Sequence, residues 1–176
     1  MTVLDPMDNK PWNFDDPEKR RRAKDLLRTV KPKLLIGSPM CRTFSNLMNL
    51  NKHRMDPDKW RAMVEHGVRH LKCMCELYQI QIEGGRLILH EHPASATSWK
   101  EDCIEKVSQM EGVEIVVGHM CRWGMTSEDA DGKGLVKKPT KSMTNSPAIG
   151  RHLAKTCKGG HRHVQLLGGR AKAAEI

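Results

Sequence analysis

The stretch LLIGSPMCRTFS, residues 34–45, runs an apolar triplet into a glycine, a proline and a cysteine. Leu34, Leu35 and Ile36, closed by Gly37 and Pro39, read as a short buried strand of a parallel sheet covered on both sides. Upstream, Asp16 before Pro17 marks a helix start, because proline at the first helical position lacks only a donor that would be unpaired anyway. Ala23, Leu26, Leu27 and Val30 then give that helix one buried face up to Pro32. Downstream, residues 38–55 read as a loop, and Asp56 with Pro57 opens a second helix. Its Trp60, Met63, Val64, Val68, Leu71, Cys75 and Tyr78 keep helical spacing as far as Gly84 and Gly85. RLILH, residues 86–90, is a second buried strand closed by Glu91, His92 and Pro93. Ser98 and Glu101 form a capping-box pattern for a third helix with Trp99, Cys103, Val107 and Met110 inward, and residues 113–117 are a third strand.

Strand and helix in turn imply an α/β fold, a Rossmann-like parallel sheet with right-handed crossovers and helices on both faces. Beyond Gly124 the pattern fades. Residues 126–146 are polar and glycine-rich, and a last helix at Ser146 and Pro147 is expected to bury Ile149, Leu153 and Cys157. The expected division is an α/β domain over residues 1–124 and a basic C-terminal extension over residues 125–176.

The chain has 176 residues and a net charge of +9. That length supports a core without staples. Residues 1–131 carry 20 basic and 20 acidic side chains, whereas residues 132–176 carry 10 basic and one acidic, so the excess lies in the C-terminal part. Such a segment attracts polyanions, nucleic acid above all, and with few aromatics the mode is phosphate contact rather than base stacking. The six cysteines are unevenly spaced and follow no charged-then-apolar leader, which points to a reducing, intracellular setting. No apolar run is long enough to span a membrane.

In a parallel sheet, ligands bind beyond the carboxyl ends of the strands. Three such ends carry Ser38, Pro39 and Cys41, then His90, Glu91 and His92, then His119, Cys121 and Arg122. Cys73, Cys75 and Cys103 fall at helical spacing and read as small core hydrophobes. Cys41 stands in a loop that demands no apolar residue. As a nucleophile it must be a thiolate, which Arg42 and the imidazole of His90 or His92 would favour. Another reading is a thiol enzyme acting on a small molecule.

GSPMCRTFSNLMNLNKHR resembles the nucleophile motif of the cytosine-5 DNA methyltransferases, in which a Pro-Cys pair at a strand end is followed by Phe-Ser and then an Asn and an Arg. LILHEHP falls where that family has a strand ending in Glu-Asn-Val, and GVEIVVGHMCRWG is similar to its later strand before an aromatic and a glycine. The resemblance covers residues 31–124. It implies that Cys41 adds to carbon 6 of a flipped pyrimidine, so that carbon 5 takes a methyl group from S-adenosylmethionine, while Glu91 holds ring nitrogen 3. Pro39, Arg42, Ser45, Asn49 and His92 would surround the substrate. Met40 replaces the family's second proline, His92 its asparagine, and no Gln-x-Arg-x-Arg stretch follows Gly124. The family's glycine-rich cofactor loop lies upstream of the nucleophile, and residues 1–36 contain no glycine. The resemblance therefore implies a catalytic part whose cofactor-binding half lies in an upstream region or in a partner chain. The alternative is a non-catalytic nucleic-acid-binding module with a basic tail.

Cys157, His161 and His163 form a C-x3-H-x-H cluster, with Gly159 and Gly160 letting the chain turn between the first two. With Cys121 or His119 as a fourth ligand the cluster could hold a tetrahedral zinc, and the other reading is that these histidines bind phosphate or solvent in a basic tail. His90 and His92 are expected on opposite faces of their strand, and so not as joint ligands.

Overall fold

One local device opens three helices of the computed structural model, which describes residues 4–166. Helices α1 (Pro17–Val30), α3 (Pro57–Glu83) and α5 (Pro147–Leu153) each begin with proline. The preceding Asp16, Asp56 or Ser146 accepts backbone N–H bonds from the first turn. A capping side chain satisfies donors that the helix leaves unpaired, and proline presets the backbone there. Strand β1 (Leu34–Gly37) follows α1, and β2 (Leu87–Pro93) follows α3. A 3₁₀ turn (Thr97–Lys100) and α4 (Asp102–Ser108) lead to β3 (Glu114–His119). Then come the hairpin of β4 (Thr126–Asp129) and β5 (Gly132–Leu135), β6 (Pro139–Thr144) and α5.

The main sheet has four strands in the order β1-β2-β6-β3. β1 pairs with β2 in parallel, but β6 runs antiparallel to both β2 and β3. This corrects the expected all-parallel arrangement: β2 and β3 point the same way but do not touch, because β6 lies between them. β6 also comes from beyond residue 124, the expected domain boundary, and is nonetheless an inner strand. Its sequence, PTKSMT, contains one apolar residue, Met143. It is buried through small hydroxyl side chains that find partners: Thr144 Oγ1 donates to Ile88 O at 2.6 Å. Next to it, the Asn145 amide bridges Ile88 N–H and Arg86 O. A buried polar strand is stable when such bonds are made, and no apolar run announces it.

β2 sets the two faces. Ile88, His90 and His92 point together toward α3 and α4, where Phe44, Leu71, Cys75, Tyr78, Ile104, Val107 and Met143 form the main core. Both histidines are 0 % exposed, and their rings lie 4.8 Å apart with planes tilted by 46°. The expectation of opposite faces fails because residues i and i+2 of a strand share a face. α5 covers the other face over β3 and β6. At Gly118 any Cβ would strike the Leu153 carbonyl and the Trp123 ring, so glycine lets helix and sheet meet. α5 does not reach β1, whose Ile36 is 62 % exposed.

Other departures are local. β2 continues through Glu91, His92 and Pro93, which were expected to end it. Ser98 caps no helix, since α4 starts later, and it binds His92 instead. The loop 38–55 contains a 3₁₀ turn (Arg42–Phe44), the short α2 (Asn46–Asn51) and a second 3₁₀ turn (Lys52–Arg54). Leu26 and Val30 of α1 are exposed, and only Leu27 of its apolar face is buried. Cys157 lies beyond α5, which ends at Leu153. No helix among the described residues is long and apolar enough to cross a membrane.

Candidate functional site

Two clusters of chemistry-bearing side chains stand apart. The first lies at the carboxyl ends of β1 and β2. β1 ends at Gly37, where only glycine fits because a Cβ would overlap the Tyr78 hydroxyl and Met74 Cε. The chain then leaves the sheet through Ser38 and Pro39, and His92 holds it in place. One ring nitrogen of His92 meets Pro39 O at 2.7 Å and the other meets Ser98 Oγ at 2.6 Å. Phe44, inserted in the core beside His92, pins the far side of the turn, and the close approach of Gly67 on α3 to Thr43 leaves it room.

The result is a cavity of about 210 Å³ lined by Ser38, Pro39, Cys41, Arg42, Glu91 and Lys138, among others. Cys41 and Glu91, fifty residues apart in sequence, thus open on one space. Ser38 Oγ donates to Glu91 Oε2 at 2.9 Å and fixes the carboxylate. Glu91 also borders a second hollow of about 200 Å³ with Leu89, Met120, Trp123 and Leu153, so it stands between two depressions. A thiol, a carboxylate and two cationic side chains around a small space suit an electron-poor, anionic or hydrogen-bonding ring.

The other expected members divide. Pro39 and Arg42 line the cavity. Ser45 ends the 3₁₀ turn, with its N–H bonded to Arg42 O, and lies outside the lining. The side chain of Asn49 lies outside those described. His92 is buried with both ring nitrogens engaged, so it positions the loop and does not reach a substrate. His90 faces the core as well, its Nδ1 3.0 Å from the Tyr78 hydroxyl. Burial, and next to it His92, depresses its pKa to about 3, so it is neutral and lends no field to Cys41. The cations at the cavity are Arg42 and Lys138. Lys138 escaped notice because it belongs to the entry of β6, the strand that polarity concealed.

The second cluster gathers Cys121, Cys157, His161 and His163, whose ligand atoms all lie within 4.8 Å of one another. Cys121 comes from the 3₁₀ turn Met120–Trp123, after which Gly124 takes a left-handed conformation. The other three come from residues 157–163, where Gly159 and Gly160, both at positive φ, reverse the chain. Cys157 Sγ is 3.4 Å from His161 Nε2 and 3.5 Å from His163 Nε2, and the two nitrogens are 2.9 Å apart. The Gly159 N–H donates to Cys157 Sγ at 3.3 Å. His119, the alternative fourth ligand, is used otherwise: its Nδ1 accepts the Cys157 N–H at 2.9 Å. Two sulfurs and two imidazole nitrogens converging on one point can hold a metal ion.

The remaining cysteines are of another kind. No disulfide joins any cysteine among the described residues. Cys73 and Cys75 are buried in the core, and the bond that the Cys75 thiol donates to Cys103, together with burial, pushes the Cys75 pKa up. Compared with known proteins, the chain matches no family model, no curated protein and no solved structure.

Proposed function

We propose that the β1–β2 cavity is a nucleophilic site for a pyrimidine of nucleic acid, DNA in particular, as the cytosine-5 methyltransferase resemblance implies. The observation that carries this reading is the shared cavity of Cys41 and Glu91. In the addition step Cys41, as thiolate, bonds through sulfur to carbon 6, the π electrons of the 5,6 double bond move to position 5, and a proton shared between Glu91 and ring nitrogen 3 offsets the charge that the ring gains. The ring must be extruded from its stack, which basic contacts to the strand would offset.

S-adenosylmethionine does not fit the described residues. A cradle for its methionine end needs close backbone approach, and the segment ahead of β1 has no glycine to permit it. The half-reaction assigned to this chain is therefore addition, with methyl donation left to an upstream region or a partner.

A 5-azacytosine oligonucleotide tests the addition alone, because nitrogen at position 5 accepts the displaced electrons and a proton and needs no methyl donor. A covalent adduct at Cys41 that disappears in Cys41→Ser and slows in Glu91→Gln is the expected result. Lack of any adduct with single-stranded and duplex probes overturns the assignment.

The Cys121, Cys157, His161 and His163 cluster is read as a structural zinc site. Around Zn²⁺ with bonds of about 2.0–2.3 Å, tetrahedral ligand atoms stand roughly 3.3–3.7 Å apart, close to the spacings found here. All four positions are filled by protein, which leaves no open position for catalysis. A second reading, a non-catalytic nucleic-acid-binding module, is favoured by the charge excess of residues 132–176. It keeps the nucleic-acid partner and the zinc but predicts no adduct.

A further inference from the structure

Helix α3 carries a histidine pair that neither site uses. His66 and His70, one turn apart on one face, have ring centroids 4.3 Å from each other. Asp15, from the segment before α1, faces both: its Oδ2 is 2.9 Å from His66 Nε2, and its Oδ1 is 3.5 Å from His70 Nε2. One ligand atom from each of the three lies within 4.8 Å of the others. We infer that Asp15, His66 and His70 bind a divalent transition ion of the zinc class, clasping the N-terminal segment to α3.

Three observations converge. Both Nε2 atoms and the Asp15 carboxylate converge on one small space, where a divalent cation can take the place of the ring protons that would otherwise face the carboxylate. His70 Nε2 is buried and makes no hydrogen bond among the described residues. The carboxylate is pre-oriented as well: Arg69 donates to Oδ1 at 2.8 Å, and Arg20 holds the Phe14 and Asp15 carbonyls. Such outer contacts fix ligand geometry. Arg69 also places a positive charge near the ion, so this site should be the weaker of the two.

Two nitrogens and one oxygen suit Zn²⁺, Co²⁺ or Ni²⁺ and leave coordination positions for water. Phe14, edge-on to His70 and stacked on Trp12, would be carried onto the helix by the same ion.

Cobalt titration of the metal-stripped full chain separates the sites. Co²⁺ at the cysteine cluster produces sulfur-to-metal charge-transfer absorption, whereas Co²⁺ on Asp15, His66 and His70 produces none. The expected result is two bound equivalents by equilibrium dialysis, the second without added charge-transfer intensity. In His70→Ala and in the milder His66→Gln, one equivalent should remain with the charge-transfer band intact. A wild-type total of one equivalent accompanied by that band, or two equivalents in both variants, overturns the inference. An equivalent bound without the band and lost in both variants supports it while removing the zinc reading of the cysteine cluster.

Discussion

His90 and His92 show what burial does to a titratable side chain. His90 is neutral in the folded chain, with its pKa lowered from 6.5 to about 3 chiefly by burial. Below the unfolded value the denatured chain takes up a proton that the native chain refuses, so stability falls as pH falls from 6.5 toward 3 and is unaffected above 6.5. Denaturant unfolding at about pH 7.5 and about pH 5.5 should show wild type losing roughly 1 kcal/mol more than His90→Gln over that interval. Equal losses would mean that the ring is protonated in the native state. Gly37 gives a second residue-scale prediction. Any side chain there meets Tyr78 and Met74, so Gly37→Ala should destabilise the fold by about 1–3 kcal/mol. Because Tyr78 in turn contacts His90, the same change should weaken adduct formation at Cys41 by shifting the end of β1, and kinetics with the azacytosine probe would register it.

At the scale of elements, helices and apolar strands were legible and polar ones were not. The Asp-Pro and Ser-Pro starts of α1, α3 and α5 are local chemistry and stand where their signals put them. LLIG and LILH are apolar enough to be read as strands, and they bring Cys41, in the loop after β1, near Glu91, which lies inside β2 two residues before its end. β6 gave no such signal, for its burial rests on hydroxyl and amide bonds whose partners are more than fifty residues away. With β6 hidden, Lys138 and the mixed sheet order were hidden too. His66 and His70 did carry a signal, a four-residue spacing inside a clear helix, but their partner Asp15 is fixed only by the tertiary fold. The Cys/His cluster was legible because the spacing of three of its members is local. The strand-like bonds of residues 162–164 to Leu135 hang on it, as does the pairing of Arg162 with Asp129. Zinc removal by a chelator should therefore raise hydrogen exchange at residues 126–136 and 157–164 while β1, β2 and α3 stay protected. Exchange that rises uniformly would show that the metal supports the whole fold.

For the whole molecule, the decisive quantity is where charge lies relative to the cavity. β6 draws Lys138 and Lys141 from the basic stretch into the sheet, and Lys138 faces the hollow that holds Cys41, Glu91 and Arg42. Part of the excess charge is therefore built into the sheet, next to the proposed chemistry. A phosphate backbone laid across the cavity would meet Arg42 and Lys138 while a base entered between them. Each phosphate neutralised releases counterions, so the logarithm of the DNA association constant should fall linearly with the logarithm of salt concentration, by about 0.9 per contact. Arg42→Ala and Lys138→Ala should each reduce that slope by roughly 1, whatever the DNA sequence, whereas Cys41→Ser should leave it unchanged. Fluorescence anisotropy with a labelled duplex at several salt concentrations measures all four proteins. If the two cation variants keep the wild-type slope while binding remains salt-dependent, the strand follows the basic surface around the Cys/His cluster and bypasses the cavity. Addition at Cys41 would then have no route to its base.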